Sequence, residues 1–292
     1  GTEVWVDRDG TVEPVATMPP GTVDVVVERV LAPLGKRLDR TNPIVDARLA
    51  DGARVCAVVP PIAVDGTTLS IRRHRSRCVP PEAFAAAPVA ELLRTAVGRR
   101  CNILVTGATS SGKTTLLAGL LGGVDDHARL VVVEDTAELE LGGRHAVRLE
   151  ARPAGVDGVA PIDLGELVRT ALRLRPDRLV VGEFRGAEVV AVVQALNTGH
   201  DGSLSTCHAN SAADGLRRVE TLVLQAAPTW PLAAIRRHVS RSIDLVVHLE
   251  RSRDGARRVV EVIEVEESEG EPTGRPLATG DEVLGVLTRA RR

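Results

Sequence analysis

The sequence predicts an α/β protein, with a small α+β unit ahead of a larger domain built on a mostly parallel sheet. Three observations predict it. From Cys101 onward, short β-branched stretches alternate with amphipathic helical ones, the pattern of parallel strands joined by helical crossovers. A glycine-rich loop, GATSSGKTT at residues 107–115, lies between an apolar strand pattern (NILVT) and a helical one (TLLAGLL). Residues 1–76 lack this alternation and mix strand patterns with one helix. A length of 292 residues also suits about two domains.

In the first unit, residues 3–6 alternate like a strand, and Asp9-Gly10 signals a turn. Residues 23–38 predict a helix, with Val27, Val30, Leu31 and Leu34 at helical spacing; Pro33 predicts a kink or an early end. Residues 54–59 and 68–73 predict strands, separated by Pro60-Pro61 and Asp65-Gly66. Residues 77–88 mix Arg, Pro and Ala and read as a linker, with the second domain spanning 89–292 and opening on a helix over 89–97. Its strands are predicted at 102–106, 130–134, 178–182 and 202–206. Helices are predicted at 163–174, where Leu164, Leu167, Val168, Ala171 and Leu172 share a face, and at 188–197, closed by Gly199. Ser211 with Asp214 three residues on starts a helix to about residue 225, and Pro231 starts another to about 241. Residues 243–250 and 257–266 predict a hairpin across Asp254-Gly255. The last stretch reads as a Gly/Pro/Glu-rich tail with a short apolar run at 283–287.

Composition excludes several classes. The balance of 43% hydrophobic and 26% charged residues at net charge −2 is that of a globular chain, not a disordered one. There is no Tyr, and the aromatics are Phe84, Phe184, Trp5 and Trp230, too few for a base-stacking surface. The positive excess of a DNA-coating protein is missing, so no stable nucleic-acid partner is expected. No apolar run approaches a membrane span. Cys56, Cys78, Cys101 and Cys207 lie far apart without metal-ligand spacing, and read as scattered reduced thiols. Only two of the 37 basic residues are lysines, Lys36 and Lys113.

The loop fits G-x-x-x-x-G-K-[ST] through Gly107, Gly112, Lys113 and Thr114. Small residues let backbone N–H groups curl around phosphates, and the following helix points its N-terminus at the anion. Gly107, Thr109, Ser110, Ser111, Gly112, Lys113, Thr114 and Thr115 are therefore the expected ATP-binding residues; Lys113 reaches the β/γ-phosphates and the Thr114 hydroxyl ligates Mg²⁺.

Two further strands end in acids. Residues 130–134 close on Glu134-Asp135, and 179–181 run into Gly182-Glu183-Phe184-Arg185. Acids at the carboxyl ends of parallel strands sit beside the phosphate loop, where they hold the metal or orient water. Glu134 and Glu183 are the candidate metal-side and catalytic acids; sequence leaves open which is the base, with Glu183 preferred. The plain alternatives are solvated strand-end acids, and a Glu183–Arg185 ion pair. His200 and His208 flank a short strand in NTGHDGSLSTCHANS and suggest a γ-phosphate sensor, in preference to a metal pair. Arg185 lies close enough in sequence to serve the same cleft.

The order GATSSGKTT, VVVEDTAEL, LRPDRLVVGEFRG, TGHDGSLSTCHANS resembles the type II/type IV secretion ATPase superfamily, as its Walker A, aspartate box, Walker B and histidine box. Within it the chain is most similar to the CpaF-type (TadA-like) ATPases of tight-adherence (Flp) pilus systems. LDRTNPIVDARLADGARVCAVVPP and LSIRRHR extend the likeness into the first unit. The resemblance implies a PAS-like N-terminal domain, truncated here, and a RecA-like P-loop ATPase domain, with ATP between them. It further implies a homohexameric ring working on the inner-membrane platform of a pilus or secretion machine, cytoplasmic and peripheral to the membrane. Glu134 matches the aspartate-box acid, Glu183 the Walker B acid, and His208 the histidine box, with His200 beside it. Arg54, Arg72 and Arg73 match first-domain arginines that reach the γ-phosphate. Ser110 and Ala108 depart from glycines common in the family. Two rivals remain. A DNA-translocating or conjugal ATPase would use the cluster Arg72, Arg73, Arg75 and Arg77; a binding-only regulator would leave Glu134, Glu183 and His208 without a role.

Overall fold

The computed structural model describes residues 2–8, 11–73, 79–139, 141, 145–152, 160–252 and 254–291. The chain divides into two compact units, Gly1–Arg75 and Ser76–Arg292. The predicted turn at Asp9-Gly10, and Arg75, Arg77 and Cys78, lie outside the described residues.

In the first unit, β1 (Glu3–Arg8) and β2 (Thr11–Thr17) pair antiparallel. Helix α1 (Thr22–Leu31) gives way to one 3₁₀ turn, Ala32–Leu34, so Pro33 ends the helix early and the predicted extension to residue 38 does not form. Strands β3 (Ile44–Arg48), β4 (Arg54–Val58) and β5 (Thr68–Arg72) form an antiparallel sheet in that order. Its small core is Val27, Leu31, Val45 and Ala57. The sequence reading missed β2 and β3. Every residue of β2 is exposed, so it carries no alternation of burial to read.

The second unit is built on one sheet. A 3₁₀ turn (Pro81–Ala83) and the buried Phe84 precede α2 (Ala87–Gly98). There follow β6 (Ile103–Gly107), α3 (Lys113–Leu121), β7 (Leu130–Glu134), β8 (Ala146–Glu150), α4 (Leu164–Leu172), β9 (Arg178–Val181), α5 (Glu188–Leu196) and β10 (Leu204–Cys207). The chain ends through α6 (Ala212–Ala226), α7 (Leu232–Ser242), β11 (Leu245–Arg251), β12 (Arg257–Ser268), β13 (Glu271–Thr279) and β14 (Glu282–Val283). The strand order is β14-β13-β12-β11-β6-β10-β9-β7-β8, parallel from β11 to β8 and antiparallel from β11 to β14.

The strands read as unbroken apolar runs because helices cover both faces. Leu104, Val131, Val133, Leu179 and Val181 face α4, α5, α6 and α7. Their neighbours Ile103, Val105, Leu130, Val132 and Val180 face α2 and α3. Caps set the helix starts: Asp163 accepts from Glu166 N at 2.7 Å, and Ser211 from Asp214 N at 3.0 Å. Three strands were missed, among them the two-residue β14, which was read as tail. β8 is a half-buried edge strand, and β13, read as tail, carries Pro272, Gly274 and Pro276.

Candidate active site

The carboxyl ends of four neighbouring parallel strands converge. In the order β6, β10, β9, β7 they deliver the phosphate loop, His208, Glu183 and Glu134. The loop needs its glycines. Gly107 has φ +152°, and a Cβ there would lie 2.5 Å from both Leu249 O and Ser111 Oγ. Gly112 caps α3 in the left-handed region at φ +99°. Ala108, Thr109 and Ser110 are exposed at the loop's crest, with Ser110 at φ +62°. Ser111 is buried, and its Oγ has no hydrogen-bond partner among the described residues. Thr114 and Thr115 are half-buried in the first turn of α3.

Lys113 is only 7% exposed. Its ammonium donates to Gly107 O and Ala108 O, both at 3.1 Å, and lies 3.4 Å from His208 Nδ1 and 3.6 Å from Glu183 Oε1. Burial pulls its pKa down, and the Glu183 carboxylate partly offsets this. Glu183 Oε1 is also 3.3 Å from His208 Nε2. A cation, an acid and an imidazole from α3, β9 and β10 thus meet at one point beside the loop.

Glu134 is held differently. It is 3% exposed and closes a tight turn, its Oε1 accepting from Glu138 N at 3.0 Å and Leu139 N at 3.1 Å. Its Oε2 has no partner among the described residues. Burial raises its pKa, against the pull of those two backbone bonds. Gly182 leaves it room, since a Cβ there would sit 2.7 Å from Glu134 Cγ. Next to it Asp135 takes the Arg185 guanidinium at 2.6 Å. Arg185 therefore pairs with the acid after β7, not with Glu183; its backbone N and that of Gly186 donate to Glu188 Oε1.

His200 is not brought to this cluster. It precedes β10, at the amino end of the strands, where its Nδ1 lies 3.1 Å from Ala195 O at the end of α5. A four-residue strand separates it from His208. Arg54, Arg72 and Arg73 belong to the first unit. Arg54 opposes Arg48 on one side and Arg72 on the other across the sheet, and Arg73 pairs with Asp51 at 3.4 Å.

The sequence reading missed three residues beside the loop. His248 on β11 is buried next to Thr106, its Nδ1 2.9 Å from Thr106 Oγ1. Burial lowers its pKa, with Glu250, Glu261 and Asp214 pulling the other way. Phe84 and Arg257 pack on Gly112. Only the strand register Thr106↔His248 brings His248 here, and such a pairing is silent in a linear motif.

Among the described residues no group of three or more His, Cys, Asp or Glu could hold a metal by itself. Mg²⁺ at phosphate sites is held by one or two carboxylates and completes its shell with phosphate oxygens and water. The metal-side residues expected from sequence are Thr114, Glu183 and Glu134, and of these Glu134 has an oxygen without a partner among the described residues.

Fold and site together define a P-loop ATPase with a RecA-like parallel core. The chain belongs to the family described as type II/IV secretion system protein, whose model matches residues 1–279. A putative conjugal transfer protein of Mycobacterium tuberculosis is 39% identical over 280 residues, covering 91% of this chain and 79% of the relative. The conjugal transfer protein TrbB of Rhizobium radiobacter is 35% identical, with 90% and 80% covered. Among solved structures, the VirB11 ATPase of the Brucella suis type IV secretion system matches at TM-score 0.54 and 27% identity, covering 90% of this chain and 86% of that one. No helix of the described residues is long and apolar enough to cross a membrane.

Proposed function

We propose that this chain hydrolyses ATP as the motor of a secretion-class machine, working as a homohexameric ring against an inner-membrane platform protein. The observation that carries the reading is the meeting of Lys113, Glu183 and His208 beside the phosphate loop. The backbone from Gly107 to Thr115 cradles the phosphates, and Lys113 neutralises the β/γ oxygens. Thr114 and Glu183 would hold Mg²⁺, Glu183 partly through water, and the ion bound there would supply charge neutralisation for the transferred phosphoryl group. Glu134 takes the proton of the attacking water. This reverses the preference drawn from sequence, because a buried carboxylate with raised basicity and a free oxygen is the better base, whereas Glu183 is already engaged by Lys113 and His208. His208 contacts the γ-phosphate. Arg185 holds Asp135 at the rim of the site. Arg54, Arg72 and Arg73 remain our γ-phosphate arginines on the family resemblance.

The likeness to CpaF-type ATPases favours a tight-adherence pilus machine. The names of the two relatives above favour conjugal transfer as a second reading. The test is mass and turnover measured together. Six-fold association on adding a non-hydrolysable ATP analogue, with phosphate release from ATP, is the expected result; a monomer that binds ATP without releasing phosphate overturns it. DNA-stimulated turnover selects the conjugal reading over the pilus one.

A further inference from the structure

The loop is flanked on two sides, and the proposed mechanism uses one. His208 and Glu183 come from β10 and β9, on one side of β6; β11 and β12 lie on the other. Strand β12 begins at Arg257, opposite Arg251. A Cβ on Gly112 would lie 2.9 Å from Arg257 Cδ and 3.7 Å from Arg257 Cβ, so the Arg257 stem runs across the last glycine of the loop. The buried Phe84 ring, with Cε1 3.1 Å from the same point, and the Phe84 O to Val259 N bond of 2.8 Å, fix the start of β12 against α3. The guanidinium begins one bond beyond Cδ. Among the described residues no carboxylate or carbonyl pairs with it. Arg257 is exposed, so its stem lies on the loop while its head is open to an anion arriving there.

We infer that Arg257 is a nucleotide-binding residue whose guanidinium contacts the diphosphate shared by ATP and ADP, from the side of the loop opposite the γ-phosphate cluster. The inference rests on the phosphate-loop reading above. Loop amides of this motif cradle the α- and β-phosphates. Gly112 is the loop residue directly before Lys113, so a guanidinium anchored on it reaches those oxygens, while Lys113, Glu183 and His208 mark the γ side. A contact to the shared diphosphate is made equally before and after cleavage. It therefore sets affinity for substrate and product and leaves the chemical step alone.

The test compares Arg257→Ala, Arg257→Lys and, as control, Arg258→Ala on the adjacent position of the same strand. Binding of ADP and of a non-hydrolysable ATP analogue with Mg²⁺ is measured by calorimetry on the full chain, alongside kcat, KM and the melting temperature without nucleotide. Arg257→Ala is expected to weaken both ligands by the same factor, about tenfold for a charge-assisted contact, and to raise KM equally with kcat within about twofold. Arg257→Lys regains part of the loss, Arg258→Ala behaves as the unmodified chain, and the melting temperatures stay together. Undiminished ADP binding in Arg257→Ala overturns the assignment. So does a loss confined to the ATP analogue, which would make Arg257 a γ-phosphate contact, or a matching drop in melting temperature, which would make it structural. If Lys113→Ala loses binding while Arg257→Ala keeps it, the phosphate site stands and Arg257 alone is removed. A chain that binds neither nucleotide overturns both.

Discussion

Lys113 is one of two lysines in a chain that otherwise uses arginine for positive charge, and its surroundings explain the exception. Its ammonium sits between two loop carbonyls at 3.1 Å each, a space for a compact point charge with three donors. A guanidinium is planar and wider, so charge alone does not substitute. Lys113→Arg is therefore expected to lose turnover by about a hundredfold or more, nearly as far as Lys113→Ala, in a phosphate-release assay; an arginine variant with near-normal turnover would contradict this. Glu134 makes a different prediction, because burial raises its pKa above the ordinary 4.5. A group whose folded pKa is raised favours the fold when protonated, and its ionised form weakens the fold as pH rises past the folded value. Glu134→Gln keeps an acceptor for the Glu138 and Leu139 amides and removes the buried charge. Its melting temperature should equal the parent's below pH 4.5 and match or exceed it at pH 8, while turnover falls by about a hundredfold or more. A parallel loss of stability and activity would show that the carboxylate is structural.

Among the elements, α3 joins the site to the core, and one of its glycines is there for space. A Cβ on Gly119 would lie 2.2 Å from Val79 O, so the segment before Phe84 rests directly on the helix backbone. Gly98, at the end of α2, has nothing within 4 Å of its virtual Cβ. Gly119→Ala should cost about 1–3 kcal/mol in denaturant unfolding. Gly98→Ala should be neutral or stabilising by up to about 1 kcal/mol, since alanine loses less backbone entropy in a helix. Equal effects at the two positions would mean that propensity, not packing, decides. The contrast also explains which elements were legible in the sequence. β6, β7, β9 and β10 are buried on both faces, so each is an apolar run that announces itself. β13 does not. Pro272 and Pro276 read as breakers, yet it pairs with β12 on one side and only through Ala278 and Thr279 with β14 on the other, and that open edge accepts residues without an N–H. At the site, the loop, Glu134, Glu183 and His208 follow from local motifs at strand ends. His248, Phe84 and Arg257 depend on which strands become neighbours, which local motifs do not encode.

For the molecule as a whole, the sheet's amino end raises the question of what holds the last strands and the residues beyond them in place. Two carboxylates that sequence reading passed over do this in the second unit. Asp244, 1% exposed, accepts from Asn102 N at 2.7 Å, Arg289 Nη1 at 3.1 Å and Arg291 Nε at 2.6 Å. Glu264, fully buried on β12, accepts from Thr288 N at 2.8 Å, Arg289 N at 2.7 Å and Thr288 Oγ1 at 2.9 Å, and pairs with Arg275. Together they tie residues 288–291 to the strand ends at β6, β11 and β12, where the unbonded ends of a sheet would otherwise meet water. Burial alone would raise the pKa of Glu264, but the bonds from Arg289, Thr288 and Arg275 outweigh it and hold the pKa below 4.5. For a group whose folded pKa is depressed, the stabilisation is present above the unfolded value and disappears as pH falls through the folded one. Glu264→Gln keeps one acceptor but leaves the arginine and the amides short of a charge. It should lower unfolding free energy by about 3 kcal/mol at pH 7, the scale of breaking a buried ion pair. The gap between variant and parent should then narrow as pH drops below 4.5, because the parent protonates the same group. Denaturant unfolding of both proteins across that range measures it directly, and a gap that stays constant with pH would mean that shape, and not charge, holds the tail to the sheet.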